Sequence, residues 1–498
     1  MPSTTIPNDW FLENVPYTDG NKAESLIDGA AYFSESKTDI EALSNNSPYL
    51  FISGWRLNPD TLIDPSNQQE IRTLLEQSID SIGLHIKSML WYVPGSIGDL
   101  GAGHGPENVE FTSFIQESGG EAILDNRLPK GRFSSHHQKF MVLGDAGHHI
   151  AFVGGIDIAP DRWDTPRHNS SDLREPELFS AWHDVQIKIL GPAVAEIWDS
   201  FQERWNDSRV PHEFPAVGNT SPQPLASSER PQIADTFSTH SIQIIKTFAC
   251  KSNAGNDSQT PYPFAPNGLY SYQAGLVKAI DNAEHFIYIE DQYFWPCEVT
   301  EALSKAVDRG VAVILVLTKN YDVPGLTPYH NFLRNQAITQ LQNAESNDQR
   351  VFVFHLEQEI TNPETQEHDD IYVHSKTVII DDRYVVIGSA NINRRSMTTD
   401  SEIGVAIVDT DSVDSTISNQ QEIVSKFAID YRKALWAEHL VKSATEIADD
   451  PFDEGYPAGF PKDEGLVGHL RKHTVGQPRF CQINLIPFGL MNAQTTCL

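Results

Sequence analysis

EALSNNSPYLFISGWRL at 41–57 and KAIDNAEHFIYIEDQYF at 278–294 are two versions of one pattern. In each, a helix end runs through Asn and Ala or Ser into an apolar strand. The offset is 237 residues, and adding it to His137 in HHQKFMVLGD lands on His374 in VHSKTVIIDD. The register therefore holds across nearly ninety residues of each copy. AFVGGIDI at 151–158 then answers VVIGSANI at 385–392, and WHDVQIKILG at 182–191 answers DSEIGVAIVD at 400–409. Both copies end in patterns with an aromatic stripe, AVAEIWDSFQERW and EIVSKFAIDYRKALW, which read as helices. An internal repeat of this length means two copies of one structural unit.

The apolar runs are short and rich in Val and Ile, as buried strands are. The segments between them have helical period and length. Strands alternating with helices predict an α/β fold, with two pseudo-twofold-related halves, each a mixed sheet flanked by helices. The expected divisions are a first repeat at 1–206, a Pro- and Ser-rich linker at 207–240, a second repeat at 241–450 and a tail at 451–498.

The 36 basic and 68 acidic residues give a formal charge of −32. Most of that charge reads as a solvated surface. A body this acidic repels nucleic acid and anionic bilayers at long range, so phosphate chemistry must rely on local cations. No apolar run approaches the roughly 20 residues of a membrane span. MPSTTIPNDW has no basic-then-apolar leader, which suits a cytoplasmic protein or a mature secreted chain with a new initiator Met. Four cysteines make neither a disulfide framework nor a metal-ligand spacing, although a Cys481–Cys497 bridge is conceivable.

HSKTVIID at 374–381 carries the chemistry. His374 and Lys376 are two apart on a strand and point to the same face. A strand end can thus present an imidazole and an ammonium together. One such pattern is a weak signal, but here it recurs at the matching place of a repeat, followed each time by Gly-Gly or Gly-Ser. Core packing does not explain that combination.

With these motifs the chain resembles the phospholipase D superfamily of two-histidine phosphodiesterases. HSKTVIID with GSANINRRS, HHQK with GGID, WHDVQIKILGP and RKALWAEHL carry the resemblance, which covers about 40–440. It implies that the halves meet with both motifs in one active site at their interface. It also implies a phosphohistidine intermediate, no cofactor and no metal. His137 is then the expected nucleophile and His374 the general acid. Lys139, Lys376 and Asn391 are expected on the phosphoryl oxygens, with Ser389 and Gly155 among the substrate-binding residues.

The division of labour makes sense physically. A phosphodiester monoanion repels nucleophiles and has a poor alkoxide leaving group, so one group must attack and another must protonate. Two histidines can do both near neutral pH, and two lysines supply charge in a water-poor site. Each imidazole needs an acceptor on its other nitrogen. Glu402 resembles the family's acidic partner, and the repeat alignment sets Asp184 opposite it. The expectation is therefore Asp184 on His137 and Glu402 on His374.

Two departures from symmetry stand out. Asp145 comes one residue late relative to Asp381, whose role is expected to be structural, tying strand to turn. Asp157 stands where the second half has Asn391, and it is expected to turn to a backbone or basic partner. Softer features are the insertion 159–182 with Trp163, Leu178 and Phe179, and the Gly-rich loop 92–111. Glu290 and Gln292 suit a cleft-facing or a buried polar role equally.

The activity implied is hydrolysis of phosphatidylcholine-type lipids at a membrane or micelle surface, with transphosphatidylation, by a protein for which a monomer is favoured. A nuclease or other phosphodiesterase with the same chemistry is the alternative, but the charge opposes nucleic acid as partner. Cardiolipin synthase-like transfer and a catalytically dead scaffold fit less well.

Overall fold

The computed structural model describes residues 7–92, 105–128, 134–168, 181–207, 222–250, 252–253, 259–321, 326–346, 348–357, 370–460 and 467–469. In the first half the strands of the main sheet are β1 (Thr18–Ile27), β2 (Tyr49–Gly54), β3 (His85–Trp91), β4 (Glu121–Asp125), β5 (Phe140–Gly144), β6 (His149–Gly154), β7 (Ala181–His183) and β8 (Val185–Leu190). In the second half they are β9 (His240–Phe248), β10 (Phe286–Asp291), β11 (Ala312–Leu317), β12 (Val351–Glu357), β13 (Asp370–Val373), β14 (Thr377–Ile380), β15 (Tyr384–Gly388) and β16 (Glu402–Asp409).

The first sheet runs β4-β3-β2-β5-β6-β8-β1, parallel on the β4-β3-β2 side and antiparallel beyond. The second runs β12-β11-β10-β14-β15-β16-β9 with the same alternation. β1 and β9 then pair antiparallel, so the sheets join edge to edge, like strand against like strand. The mixed α/β fold expected from the repeat is the fold observed.

Alternation along the strands sets the layers. Phe51 and Val142 face a large apolar cluster shared by both halves, while Leu50, Ile52, Met141 and Leu143 face a separate one. The shared cluster takes Ile197, Trp198 and Phe201 of helix α4 (Ala193–Trp205) and Tyr431, Leu435 and Trp436 of α8 (Lys426–His439). These are the two aromatic stripes. Helices α1 (Asp28–Glu41), α2 (Ile71–Ile82) and α3 (Gly105–Glu117) flank the first sheet, and α5 (Ser271–Asn282), α6 (Glu298–Asp308) and α7 (Thr327–Gln342) the second. The halves also interleave. Trp10, near the N-terminus, stacks on Tyr384 of β15 at 5.5 Å, and Gln243 of β9 accepts the backbone N–H of Leu12.

Several details differ from the sequence reading. The Gly-rich stretch 92–111 is helical from Gly105 onward, and 93–104 lies outside the described residues. EIVS, read as helix, is the second strand of a hairpin, Ser412–Ile417 with Gln420–Ser425. Its turn residues Ser418 and Asn419 both have positive φ (52° and 64°), the backbone a tight two-residue hairpin requires. Trp163 is half-buried against the first-half core. Leu178, Phe179, Cys481, Cys497, residues 208–221 of the linker and most of the tail lie outside the described residues. No described helix is long and apolar enough to cross a membrane.

The aspartates that follow the two motifs differ as their registers imply. Asp381 is fully buried and accepts the backbone N–H groups of Glu284, His285 and Phe286, fastening the turn after β14 to the start of β10. Asp145 accepts from Ser44, Gly147 and His148 at a solvated turn. Water replaces a lost carboxylate at the surface but not in the core. Asp381→Ala is therefore expected to cost about 2–4 kcal/mol and Asp145→Ala about 1 kcal/mol or less. Denaturant unfolding of both variants checks the ranking, and equal losses would contradict it.

Candidate active site

The histidine–lysine segments lie at the N-terminal ends of β5 and β14, where their backbones cross to the opposite half. His374 N–H donates to the carbonyl of His183 (2.8 Å), as β13 pairs in parallel with β7. His137 N–H donates to the carbonyl of Ser401 (3.0 Å), beside a bridge between His136 and Ser401. Each histidine is thus laid against the residue just before the other half's acid.

The side chains follow. His137 Nδ1 lies 3.0 Å from Glu402 Oε2, and His374 Nδ1 lies 2.6 Å from Asp184 Oδ2. This corrects the expected assignment of Asp184 to His137 and Glu402 to His374: both pairs exist, exchanged. The repeat alignment identifies the acids as equivalent, but a twofold axis relates cis pairs and trans pairs equally well. Only the backbone crossing selects trans.

Both imidazoles keep a little exposure, 9% for His137 and 6% for His374, and neither Nε2 has a hydrogen-bond partner among the described residues. Lys139 Nζ donates to the His137 carbonyl (3.2 Å), and Lys376 Nζ to the His374 carbonyl. Each side chain bends back over its own motif, so the ammonium stands beside the imidazole. Trp55 forms one wall, with its ring 6.4 Å from His137, 5.6 Å from Lys139 Nζ and stacked on Trp91. Trp182 lies 5.0 Å from His374, with the Arg162 guanidinium 3.7 Å from its ring. These walls were missed in the sequence. Trp55 had a signal, because it stands 237 residues before Gln292.

Burial, followed by the adjacent lysines, holds both imidazoles well below their usual pKa. Burial pushes Glu402 up to about 7, against the opposing pull of the Ser389 hydroxyl and Lys139, and it raises Asp184 as well. Burial also brings Lys376 down to about 8. Above about pH 7, His137–Glu402 is a neutral imidazole beside a carboxylate. A carboxylate only accepts, so the imidazole proton sits on Nδ1 and the Nε2 lone pair is free. That is the form of a nucleophile.

The remaining candidates divide. Ser389 and Gly155, expected on substrate, have their donors committed elsewhere. The Ser389 hydroxyl donates to Glu402 (2.6 Å) and its N–H to the Ile403 carbonyl (2.9 Å), while the Gly155 N–H donates to the Val185 carbonyl (3.0 Å). A Cβ on Gly155 would meet Asp184 Oδ1 at 2.1 Å, so this glycine makes room for the acid. Asn391 is buried, and its Oδ1 has no hydrogen-bond partner among the described residues. Asp157 accepts the backbone N–H of Arg56 (3.0 Å), with its other oxygen 3.5 Å from Lys139. Gln292 donates to the Tyr372 hydroxyl (2.6 Å).

Glu290 lies inside a buried network behind His374. It accepts from the Ser375 and Tyr288 hydroxyls, and it faces His183 Nε2 (2.9 Å) and His439 Nε2 (2.8 Å). His183 Nδ1 faces Asp28 (3.2 Å) and Glu438 (2.7 Å), and Glu438 also meets His168 (3.2 Å). Asp28, His168, His183 and Glu438 present ligand atoms all within 4.8 Å of one another, a set with the chemistry to hold a divalent cation. The sequence reading found no such cluster because its members are scattered from 28 to 438. It lies behind Asp184 and His374, so a cation there would act on their placement rather than on a phosphate.

The exchanged pairing has a direct spectroscopic consequence. In histidine-labelled protein, Glu402→Gln is expected to move the imidazole nitrogen resonances of His137 and leave those of His374 in place, with Asp184→Asn doing the reverse. The opposite pattern would restore the cis assignment.

With this geometry in place, likeness to known proteins is informative. The family profile described as "Cardiolipin synthase, PLD-like domain" matches residues 276–424, and that described as "Phospholipase D" matches 44–301. Phospholipase D beta 2 of Arabidopsis thaliana is 27% identical over 88% of this chain, and phospholipase D1 of Saccharomyces cerevisiae is 25% identical over 88%. The chain spans 61% of the first relative's length and 30% of the second's. Phosphatidylserine synthase of Haemophilus influenzae shares the fold, with a TM-score of 0.51 at 14% identity over 86% of this chain and 97% of its own. As the Phospholipase D profile alone takes in more than half of its residues, the chain belongs to the phospholipase D superfamily.

Proposed function

We propose that the protein is a phospholipase D that hydrolyses phosphatidylcholine-type phospholipids to phosphatidic acid and free head group. The observation that supports it is the pair of imidazoles, each tied through Nδ1 to a buried carboxylate, with Nε2 unpartnered among the described residues, beside two buried lysines. In this reading His137 Nε2 attacks phosphorus while the bond from phosphorus to the head-group oxygen breaks. His374 gives its Nε2 proton to that oxygen. Water, or an added alcohol, then gives a proton to His374 and attacks the phosphohistidine, and the bond to His137 breaks. The first product is phosphatidic acid and the second a transphosphatidylation product. A bound phosphodiester anion offsets the lysines and favours the extra proton on one imidazole. Lys139, Lys376 and Asn391 hold the phosphoryl oxygens, and Lys charge counts for more in a site shielded from water.

Two experiments test this. Incubation with phosphatidylcholine and ethanol is expected to yield free choline and phosphatidylethanol. His137→Ala and His374→Ala are each expected to lower the rate at least about 10³-fold, with the double variant little worse than either. Near-normal turnover by either single variant would sink the two-histidine reading.

Lys376 also sets a pH limit. Lys376 must be protonated to hold the phosphate, and burial brings it to about 8. As pH rises through that value the charge is lost, so kcat/KM is expected to fall above about pH 8, well below an ordinary lysine. Lys376→Arg, which stays charged, is expected to move that limb upward even if it lowers the maximum rate. An alkaline limb unmoved by the substitution would assign it to another group.

A further inference from the structure

Four large apolar side chains are markedly exposed among the described residues, and two of them lie at the start of α7, Leu326 (44%) at its N-cap and Phe332 (54%) in its second turn. Between them Pro328 is exposed and Tyr329 half-buried, and Leu333, just after Phe332, is half-buried too. Leu326, Tyr329, Phe332 and Leu333 follow helical spacing, so they form one outward face. The same face continues with Gln336, which is polar but uncharged.

The charge of this helix is as unusual as its apolarity. Thr327–Gln342 contains no acidic residue in a chain of net charge −32. Its one arginine, Arg334, is buried and donates to the carbonyls of Thr318 and Lys319. His330 is buried too, with its ring 4.9 Å from Trp295. The outer face therefore presents apolar and uncharged groups only.

Its place relates it to the active site. Trp295, whose ring is 6.3 Å from Tyr329, donates its backbone N–H to the Ile392 carbonyl (2.8 Å), next to Asn391. Through Trp295 the helix thus packs one layer from Asn391, which the proposed function sets on the phosphoryl oxygens.

We propose that this face of α7 is the surface that docks the protein on a phospholipid bilayer with zwitterionic head groups. The proposal rests on the reading that the substrate is a phospholipid. Apolar side chains on an interfacial helix enter the boundary between head groups and acyl chains. The overall charge repels anionic bilayers, and the uncharged face removes that repulsion only where the surface carries no net charge. Leu326 and Phe332 would seat the active-site rim on the bilayer, so that a head group reaches His137 without the lipid leaving the membrane.

The test uses the full chain and its Leu326→Ser/Phe332→Ser double variant, with Phe237→Ser, another exposed aromatic, as control. Two quantities are read: pelleting with phosphatidylcholine vesicles, and turnover of a short-chain phosphatidylcholine kept monomeric. The double variant is expected to lose at least tenfold in pelleting and in vesicle turnover, and to keep monomer turnover within twofold. The control should match the parent. Vesicles rich in phosphatidylglycerol should bind the parent less well at low salt. Equal pelleting by parent and double variant, or a parent that does not pellet, would overturn the proposal. So would a matching loss of monomer turnover, which would make the two side chains part of the site. A parent that dimerises in solution and a variant that does not would make the face a self-association surface instead. If the parent turns over no monomeric lipid, the functional reading fails, while pelleting still decides the docking surface.

Discussion

The site depends on a bond between an imidazole in one half and a carboxylate in the other. His137–Glu402 and His374–Asp184 are buried, each is seated by a backbone hydrogen bond from the same histidine, and each fails if the two sheets shift. The edge pairing of β1 with β9 and the apolar cluster beneath both sheets keep the halves in register. Fold and chemistry are therefore coupled at one place. The contacts that hold the halves together are the contacts that orient the histidines.

Electrostatics explains why the arrangement works in so acidic a chain. The surface charge is solvated and screened over about 8–10 Å. Inside, Lys139 faces Asp157 and Lys376 feels Asp184 and Asp291, carboxylates that are themselves tied down by the backbone N–H groups of Arg56, Val185 and Ile392. Local charge can thus favour a phosphate although the whole molecule does not. The halves have also diverged where they matter. Glu402 is the longer acid and takes a serine hydroxyl, whereas Asp184 is shorter, abuts Gly155 and accepts the backbone N–H of Val185. Two histidines at matching places of the repeat thus sit in unequal settings.

Much of this was legible in the sequence, for a physical reason. Strand period and repeat offset are local properties, and His137, Lys139, His374 and Lys376 follow from them. So does the equivalence of Asp184 and Glu402. The partner choice did not follow, because symmetry is satisfied by either pairing and only three-dimensional crossing decides. The cluster of Asp28, His168, His183 and Glu438 was hidden for a related reason, since it assembles from α1, the insertion, β7 and α8 with no short spacing. EIVS deceived because a helical period over four residues cannot be told from a strand that ends in a helix.

The crossing of the two pairs has a consequence for assembly. In a half-length chain of the same fold, one copy would hold a histidine without its acid, and a complete site would exist only where two copies met across a self-complementary contact. Its activity would then rise with the square of protein concentration at high dilution. Carrying both copies on one chain turns that encounter into an intramolecular one, with an effective concentration set by the connecting segment. The molecule is in this sense a dimer that cannot be diluted apart.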